Sequence, residues 1–303
     1  MGTPQAAVPS LQRLIDGGHE VVAVYCQPDR PSGRGNKITH SPVKQFALDH
    51  VLTVLQPEKL RTMEAAETFA GLNADVAVVI AYGRILPETF LTAYLHGAVN
   101  VHFSLLPKFR GAAPVNWAIV KREAKTGVTT MKMDAGLDTG PILLQSETEI
   151  GERETAPGLM ARLAVMGADL LSATLSQIET LTPREQTAAD ASLAPILKRE
   201  DGLIDWAMSA PDIEARIRGF QPFPSAYTTY RGERVTLWSG RVDESASAEP
   251  GTVLEAAKDT LEIACGGNTA LRIEELQPAG KRIMGVRDYL NGVRVEVGER
   301  FGE

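Results

Sequence analysis

ADVAVVIAYGRILP, residues 74–87, and GAVNVHFSLLPKFRGAAP, residues 97–114, each run an apolar, β-branched stretch into a loop marked by Gly and Pro. Such a stretch reads as a buried strand followed by a strand-end loop. Working outward, VVAVY at 21–25, GVTTMKM at 127–133 and ILLQSETEI at 142–150 repeat the strand signal. Helical stretches separate several of them. Ser41-Pro42 opens one, with serine as cap and proline in the first helical position. From Thr155, apolar residues Leu159, Leu163, Met166 and Leu170 step at helical spacing. Strands alternating with helices imply an α/β domain, a doubly wound and mostly parallel sheet covered on both faces.

The front of the chain breaks this pattern. A doubly wound sheet starts with a buried strand leading into a glycine turn, whereas here Met1-Gly2-Thr3-Pro4 is already the turn, with a helix expected at 9–17. The first strand is therefore missing from this reading: either in-frame sequence upstream of Met1 encodes it, which is the expectation, or another segment of the chain fills its slot. Residues 182–198 lose periodicity and gather Pro, Ala, Thr and Asp, as a linker does. Beyond them TTY at 228–230, RVTLWSGRV at 234–242, GTVLEA at 251–256, DTLEIAC at 259–265 and ALRIEELQ at 270–277 are short strands broken at close intervals. They predict a small antiparallel, OB-like barrel. The organisation expected is a catalytic domain at 1–185, a linker at 186–200 and a barrel domain at 201–303.

At 303 residues, 44% apolar and 23% charged, the chain is long enough to build one large core or two ordinary ones. Its start lacks the basic flank and apolar centre of a signal peptide, and a cytoplasmic protein is expected. Two cysteines, Cys26 and Cys265, cannot form a zinc ribbon or an iron–sulfur site, so no metal is expected. A net charge of −7 argues against sequence-blind nucleic-acid binding over the whole surface and leaves room for a local basic patch.

Three clusters carry candidate chemistry. Asn100 and His102 sit two apart at a strand end, so they share one face at the carboxyl edge of the sheet. An amide and an imidazole there can stabilise an oxyanion and accept a proton from an attacking amine; a strand-end histidine satisfied by backbone gives the same pattern. Asp138 lies in MDAGLDTGP, 133–141, a loop that either presents a carboxylate or simply turns. The loop QPDRPSGRGNK, 27–37, places Arg30, Arg34 and Lys37 among prolines and glycines, suited to a phosphate-bearing partner or to plain solvation.

In order, GTPQAAVPSL at 2–11, QPDRPSGRG at 27–35, SPVK at 41–44, AYGRILP at 81–87, NVHFSLLPKFRGAAPVNWAI at 100–119 and MDAGLDTGPIL at 133–143 resemble the methionyl-tRNA formyltransferases over nearly the whole chain. The resemblance implies formyl transfer from 10-formyltetrahydrofolate to the methionine amino group on initiator tRNA. It implies Asn100, His102 and Asp138 as the catalytic trio. Ser104, Leu105, Leu106 and Pro107, with Tyr82, Gly83, Arg84, Ile85 and Leu86, would hold the folate. Arg30, Arg34 and Lys37 would contact the tRNA. A monomer with no membrane association is expected.

Other readings use the same chemistry on another amine, glycinamide ribonucleotide or an amino-sugar nucleotide, or make the chain a tRNA binder without catalysis. Residues 199–303 hold thirteen Lys and Arg against eighteen Asp and Glu. Phosphate contacts by the barrel therefore have to come from one face, with Arg216, Arg218, Arg231, Arg234, Lys281 and Arg282 as candidates.

Overall fold

The computed structural model describes residues 1–32, 37–243 and 247–303. In chain order the elements are α1 (Val8–Asp16), β1 (Val24–Tyr25), β2 (Arg30–Ser32), β3 (Lys37–Thr39), α2 (Pro42–Asp49), β4 (Val54–Leu55), α3 (Met63–Ala70), β5 (Ala77–Val79), α4 (Glu88–Leu91) and β6 (Ala98–His102). There follow β7 (Arg110–Gly111), α5 (Pro114–Val120), β8 (Lys125–Lys132), β9 (Ile142–Glu149), α6 (Ala156–Ser176) and β10 (Leu193–Ala194). The remainder comprises α7 (Ala210–Gly219), β11 (Tyr227–Tyr230), β12 (Glu233–Asp243), β13 (Val253–Ala257), β14 (Thr260–Cys265), β15 (Thr269–Pro278), β16 (Met284–Gly285) and α8 (Val286–Gly292). Two units form: Met1–Pro114 with Lys125–Glu149 and Met160–Ala194, and Val115–Ala124 with Ile150–Leu159 and Pro195–Glu303.

In the first unit β4 and β1 pair in parallel, as do β5 and β6. At the far edge β8 runs antiparallel to β6, and β9 antiparallel to β8. The connection 133–141 contains no helix, and a loop without a crossover returns a strand antiparallel. Alternation divides the side chains between two faces. Tyr25, Ala77, Val79 and Ala98 join Phe69 of α3 and Phe90 of α4 in one core, where the two phenyl rings stack at 4.1 Å. The opposite parity, Val101 with Phe103 just beyond β6, meets α6 at Gly167; a Cβ there would stand 2.9 Å from Val101 Cγ1. Helix α6 is apolar and long enough to cross a membrane by composition. Its Leu163, Ala164, Ala168 and Leu171 are nonetheless buried, and Arg13 of α1 pairs with its Asp169.

Met1 and Gly2 lie between β1 and β5. Gly2 N–H donates to Tyr25 C=O and Ile80 N–H to Met1 C=O, both at 2.9 Å, and Gly2 bridges Ile80 in parallel. Alanine at Gly2 would bring Cβ within 2.8 Å of Ala7 Cβ, so the turn requires glycine. Beneath these residues a hollow of about 260 Å³ is lined by Leu11, Leu14, Val22, Val76, Val78 and Leu175 among others. In a strand one residue's N–H and C=O point the same way, so Ala23 C=O and Val78 N–H face this hollow.

The second unit folds around α7. Strands run in the order β11-β12-β15-β14-β13, with β16 beside β15, and their pairings are antiparallel. The C-terminal residues close the two edges: Phe301 N–H donates to Gly251 C=O at 2.9 Å and Gly302 N–H to Thr229 C=O at 2.8 Å. Ile213 and Ile217 of α7 pack inside against Leu237, Leu261, Ile263 and Leu271. Trp206 buries its ring in the same core and donates its Nε1–H to Thr228 Oγ1 at 3.0 Å. This is the barrel that the short strand runs predict.

Lengthening the chain before Met1 by about six alternating Val and Thr residues, a strand-length addition, supplies partners for the groups facing the hollow. Each buried pairing restored is worth about 1 kcal/mol or more, so a rise of at least about 4 °C in the unfolding midpoint is expected. Burial also holds the Met1 amino group down at about 5, from its usual 8.0. On acidification from pH 8 toward 5 the unfolded chain therefore takes up the proton first, and stability falls with pH. The lengthened chain should lose that dependence. Thermal unfolding at pH 5.5 and 8 checks both, and an unchanged midpoint and slope would show that the hollow accepts no strand.

Candidate active site

Strand β6 places Asn100 and His102 on the face opposite α6, at the carboxyl end where the loops after β1, β4 and β5 also emerge. Both side chains are buried, Asn100 at 8% and His102 at 6% exposure. No hydrogen bond from the Asn100 amide occurs among the described residues, and neither of its polar atoms is sealed from solvent. Its NH₂ and C=O therefore remain free for a ligand.

His102 is held differently. Its Nε2 lies 2.9 Å from Phe109 C=O, an obligate acceptor, so the neutral ring carries its proton on Nε2. Nδ1 then keeps its lone pair and faces Asp138 Oδ2 at 3.6 Å, too far for a direct hydrogen bond. Burial lowers the His102 pKa; the Asp138 charge and the Phe109 carbonyl oppose that shift without cancelling it. The ring is neutral at neutral pH, with the basic nitrogen on the side of the carboxylate. Phe109 itself adopts φ +61°, a strained conformation for a bulky residue, and this turns its carbonyl toward the imidazole.

Asp138 is reached from across the sheet by the 133–141 loop. Within that loop, Asp134 Oδ1 accepts from Gly136 N–H at 3.0 Å and from Thr139 Oγ1 at 2.8 Å, a local turn of the kind aspartate makes. Asp138 has φ +52°, and its Oδ2 accepts from Gly111 N–H at 2.8 Å. Gln186 braces the loop from outside. Its Nε2 donates to Asp138 C=O at 2.9 Å and Gly140 C=O at 2.7 Å, while its Oε1 accepts from Arg110 Nη2 at 2.7 Å. Sequence reasoning missed Gln186 because it lies in the aperiodic stretch 182–198, where no pattern marks a side chain that acts at long range.

The remaining candidates divide by environment. Ser104 is fully buried and donates to Lys108 C=O at 2.6 Å. Leu106 is buried, its N–H donating to Thr129 Oγ1 and its C=O accepting from Gln145 Nε2. Pro107 C=O accepts from Ser192 N–H at 3.3 Å, and Leu105 is half-buried. This turn is a support for His102 more than an open surface. In the loop after β5, Tyr82 and Leu86 are buried while Ile85 is 75% exposed. Gln27 Nε2 holds Tyr82 C=O and Gly83 C=O at 3.0 and 3.1 Å. Arg84 Nη1 donates to Pro57 C=O and Glu58 C=O at 3.1 and 2.7 Å. Arg84 and Ile85 also border an open hollow of about 370 Å³ shared with Leu60 and Thr62. Arg30 is exposed at the start of β2, and Lys37 starts β3. Arg34 lies outside the described residues.

Titration of the His102 ring by NMR is expected to give a midpoint below 6.5. Asp138→Asn removes the charge that favours the imidazolium, so it should lower the midpoint further. A midpoint raised by that substitution would overturn the assigned electrostatics. The same shift makes the native state less stable as pH falls below 6.5, because the unfolded chain binds the proton first.

Residues 1–175 match the family model described as formyl transferase, and residues 196–294 the model described as formyl transferase, C-terminal domain. The chain is 48% identical over 306 residues to a methionyl-tRNA formyltransferase of Alkaliphilus oremlandii, covering 100% of this chain and 98% of that protein. A methionyl-tRNA formyltransferase of Solibacter usitatus is 47% identical over 306 residues, covering 100% of this chain and 97% of its own. Among solved structures, the N-formyltransferase of Helicobacter canadensis in complex with folinic acid and dTDP-3-aminofucose has a TM-score of 0.68 at 19% identity, covering 91% of this chain and 97% of its own. That likeness is one of fold. Matched over both halves in order, and close in sequence to relatives along its full length, the chain belongs to the formyl transferase family.

Proposed function

We infer that this protein transfers a formyl group from 10-formyltetrahydrofolate to the α-amino group of methionine on initiator methionyl-tRNA, at the start of translation. The observation that carries the reading is the pairing of a neutral His102, its basic Nδ1 turned toward Asp138, with the unpartnered amide of Asn100 on the same strand face. The acceptor follows from the similarity to methionyl-tRNA formyltransferases at 47–48% identity.

The folate supplies an electrophilic formyl carbon. Exposed Ile85 and the backbone of Gly83 and Arg84 suit one flat face of a heterocycle, beside a hollow in the range of small-molecule sites. Leu105 and Pro107 border the same sheet edge; Ser104, Leu106, Tyr82 and Leu86 hold the two loops from within. As the neutral amine adds to the formyl carbon, the Asn100 NH₂ stabilises the negative charge developing on the formyl oxygen. His102 Nδ1 takes the proton that the amine loses, directly or through one water. The imidazolium so formed is stabilised by Asp138, 3.6 Å away; as the tetrahedral adduct collapses, the bond from the formyl carbon to N10 of the folate breaks, His102 returns its proton to that nitrogen, and tetrahydrofolate leaves with the ring neutral again.

Arg30, Arg34 and Lys37 are assigned to the phosphates of the acceptor stem. On the barrel, Arg231 is paired with Glu299, Arg218 with Glu214, and Arg216 donates to Asp201 C=O. Arg234 lies over the Tyr227 ring at 3.7 Å. Lys281 and Arg282 are exposed without a side-chain partner among the described residues, and with Arg234 they are the barrel cations assigned to tRNA. A cytoplasmic monomer that works without a metal completes the reading.

Single-turnover formylation of charged initiator tRNA, with and without 10-formyltetrahydrofolate, tests the activity; an amino-sugar nucleotide serves as the competing acceptor. His102→Ala and Asn100→Ala are expected to slow the chemical step on the order of a hundredfold or more while a folate analogue binds as to wild type. Arg34→Ala and Arg30→Ala should raise KM for tRNA and spare folate binding. Formylation by His102→Ala within a few-fold of wild type would remove the assignment, and faster formylation of the sugar nucleotide would change the acceptor.

A further inference from the structure

Beyond strand β6, one largely buried polar cluster joins several elements around a lysine. Lys44 Nζ lies 2.5 Å from Asp29 Oδ2 and 2.7 Å from Gln56 Oε1. Gln56 Nε2 donates to Asp29 Oδ1 at 3.0 Å and to Gln27 C=O at 2.8 Å. His40 Nδ1 closes the set, 3.2 Å from Asp29 Oδ2. The Lys44 and Asp29 side chains are only 14% and 18% exposed, unlike surface pairs such as Lys125–Glu147 at 54% and 52%. Hydrogen bonds from Lys44 and Gln56 hold the Asp29 carboxyl down at about 2, so it is charged throughout the working range.

The position of the cluster is informative. Asp29 immediately precedes β2 and His40 immediately follows β3, so their contact closes the stem of the β2–β3 hairpin below the Arg30–Thr39 pair. The other two partners belong to regular elements. Lys44 sits in the first turn of α2, whose Ser41 cap accepts from the Lys44 N–H at 3.2 Å, and Gln56 follows β4. Gln27, whose carbonyl Gln56 holds, carries the side chain that fastens the loop of Tyr82 and Gly83. Surface ion pairs contribute little. A largely desolvated pair with its remaining oxygens satisfied fixes geometry strongly, and removing one partner strands the other's charge.

We propose that Lys44 is a positioning residue for acceptor binding: held between Asp29 and Gln56, its ammonium anchors the stem of the cation-bearing β2–β3 hairpin to α2 and β4. The proposal rests on the reading above, in which that hairpin contacts the tRNA. It predicts an effect on the acceptor and none on the formyl-transfer step.

Lys44→Met keeps the aliphatic stem and removes the charge. KM for initiator tRNA is expected to rise about tenfold with kcat within about twofold, as for loss of a partly buried charged contact. A folate analogue should bind unchanged, and Lys44→Arg should restore most of the loss. Hydrogen exchange gives a readout independent of activity: the amides of Arg30, Ser32 and Lys37 to Thr39 should exchange about tenfold faster, with β5 and β6 unaffected. If Lys44→Met does not fold, Asp29→Asn serves with the same expectations. Wild-type exchange in the hairpin, or a fall in kcat and folate affinity at unchanged KM, overturns the anchoring. A wild-type enzyme that formylates no tRNA, with hairpin exchange accelerated as expected, overturns the acceptor reading and leaves the anchoring standing.

Discussion

Everything at the site depends on strand β6 being clamped on one side. Val101 and Phe103 press against α6, and the approach is close enough that a Cβ on Gly167 would lie 2.9 Å from Val101 and 3.4 Å from Phe103. With one parity of the strand locked against a helix, the other parity has no freedom to slip, since a one-residue shift would bury Asn100 and His102 against apolar side chains. The placement of these two side chains is thereby built from packing. The strand-end amide and imidazole inherit their places from the packing of Val101 and Phe103 behind them.

Electrostatics then acts on that scaffold. Burial alone would leave His102 a weak base, and a direct bond to Asp138 would leave it no free nitrogen. The Phe109 carbonyl resolves the conflict by taking the Nε2 proton, so Nδ1 keeps its lone pair beside a carboxylate that does not block it. The carboxylate is itself placed by two long-range backbone contacts, the Gly111 N–H and the Gln186 amide. A strained φ at Phe109 and another at Asp138 are the local costs of this arrangement.

The barrel solves a different problem. Its net charge is negative, so a general pull on nucleic acid is absent, and most of its arginines are occupied by acidic or carbonyl partners. What remains is a small number of exposed cations and one arginine stacked on an aromatic ring.

Much of this was legible in the chain. Apolar runs ending in Gly- and Pro-marked loops located β5, β6, β8 and β9. The Asn-x-His spacing put two polar side chains on one face, and Ser41-Pro42 marked the start of α2, where the hydroxyl does cap the Lys44 N–H. These features are local: period, cap and turn chemistry act over a few residues and leave a pattern in one dimension. Gln186, the Lys44–Asp29–Gln56 cluster and the choice of nitrogen on His102 left none. Each depends on a backbone carbonyl or a side chain brought from far along the chain, as Gln186 meets Asp138 across 48 positions. Sequence determined which residues could do the chemistry and on which face they stand. Only tertiary packing decided which proton His102 carries and what holds its partners, because those follow from distances that no local pattern encodes.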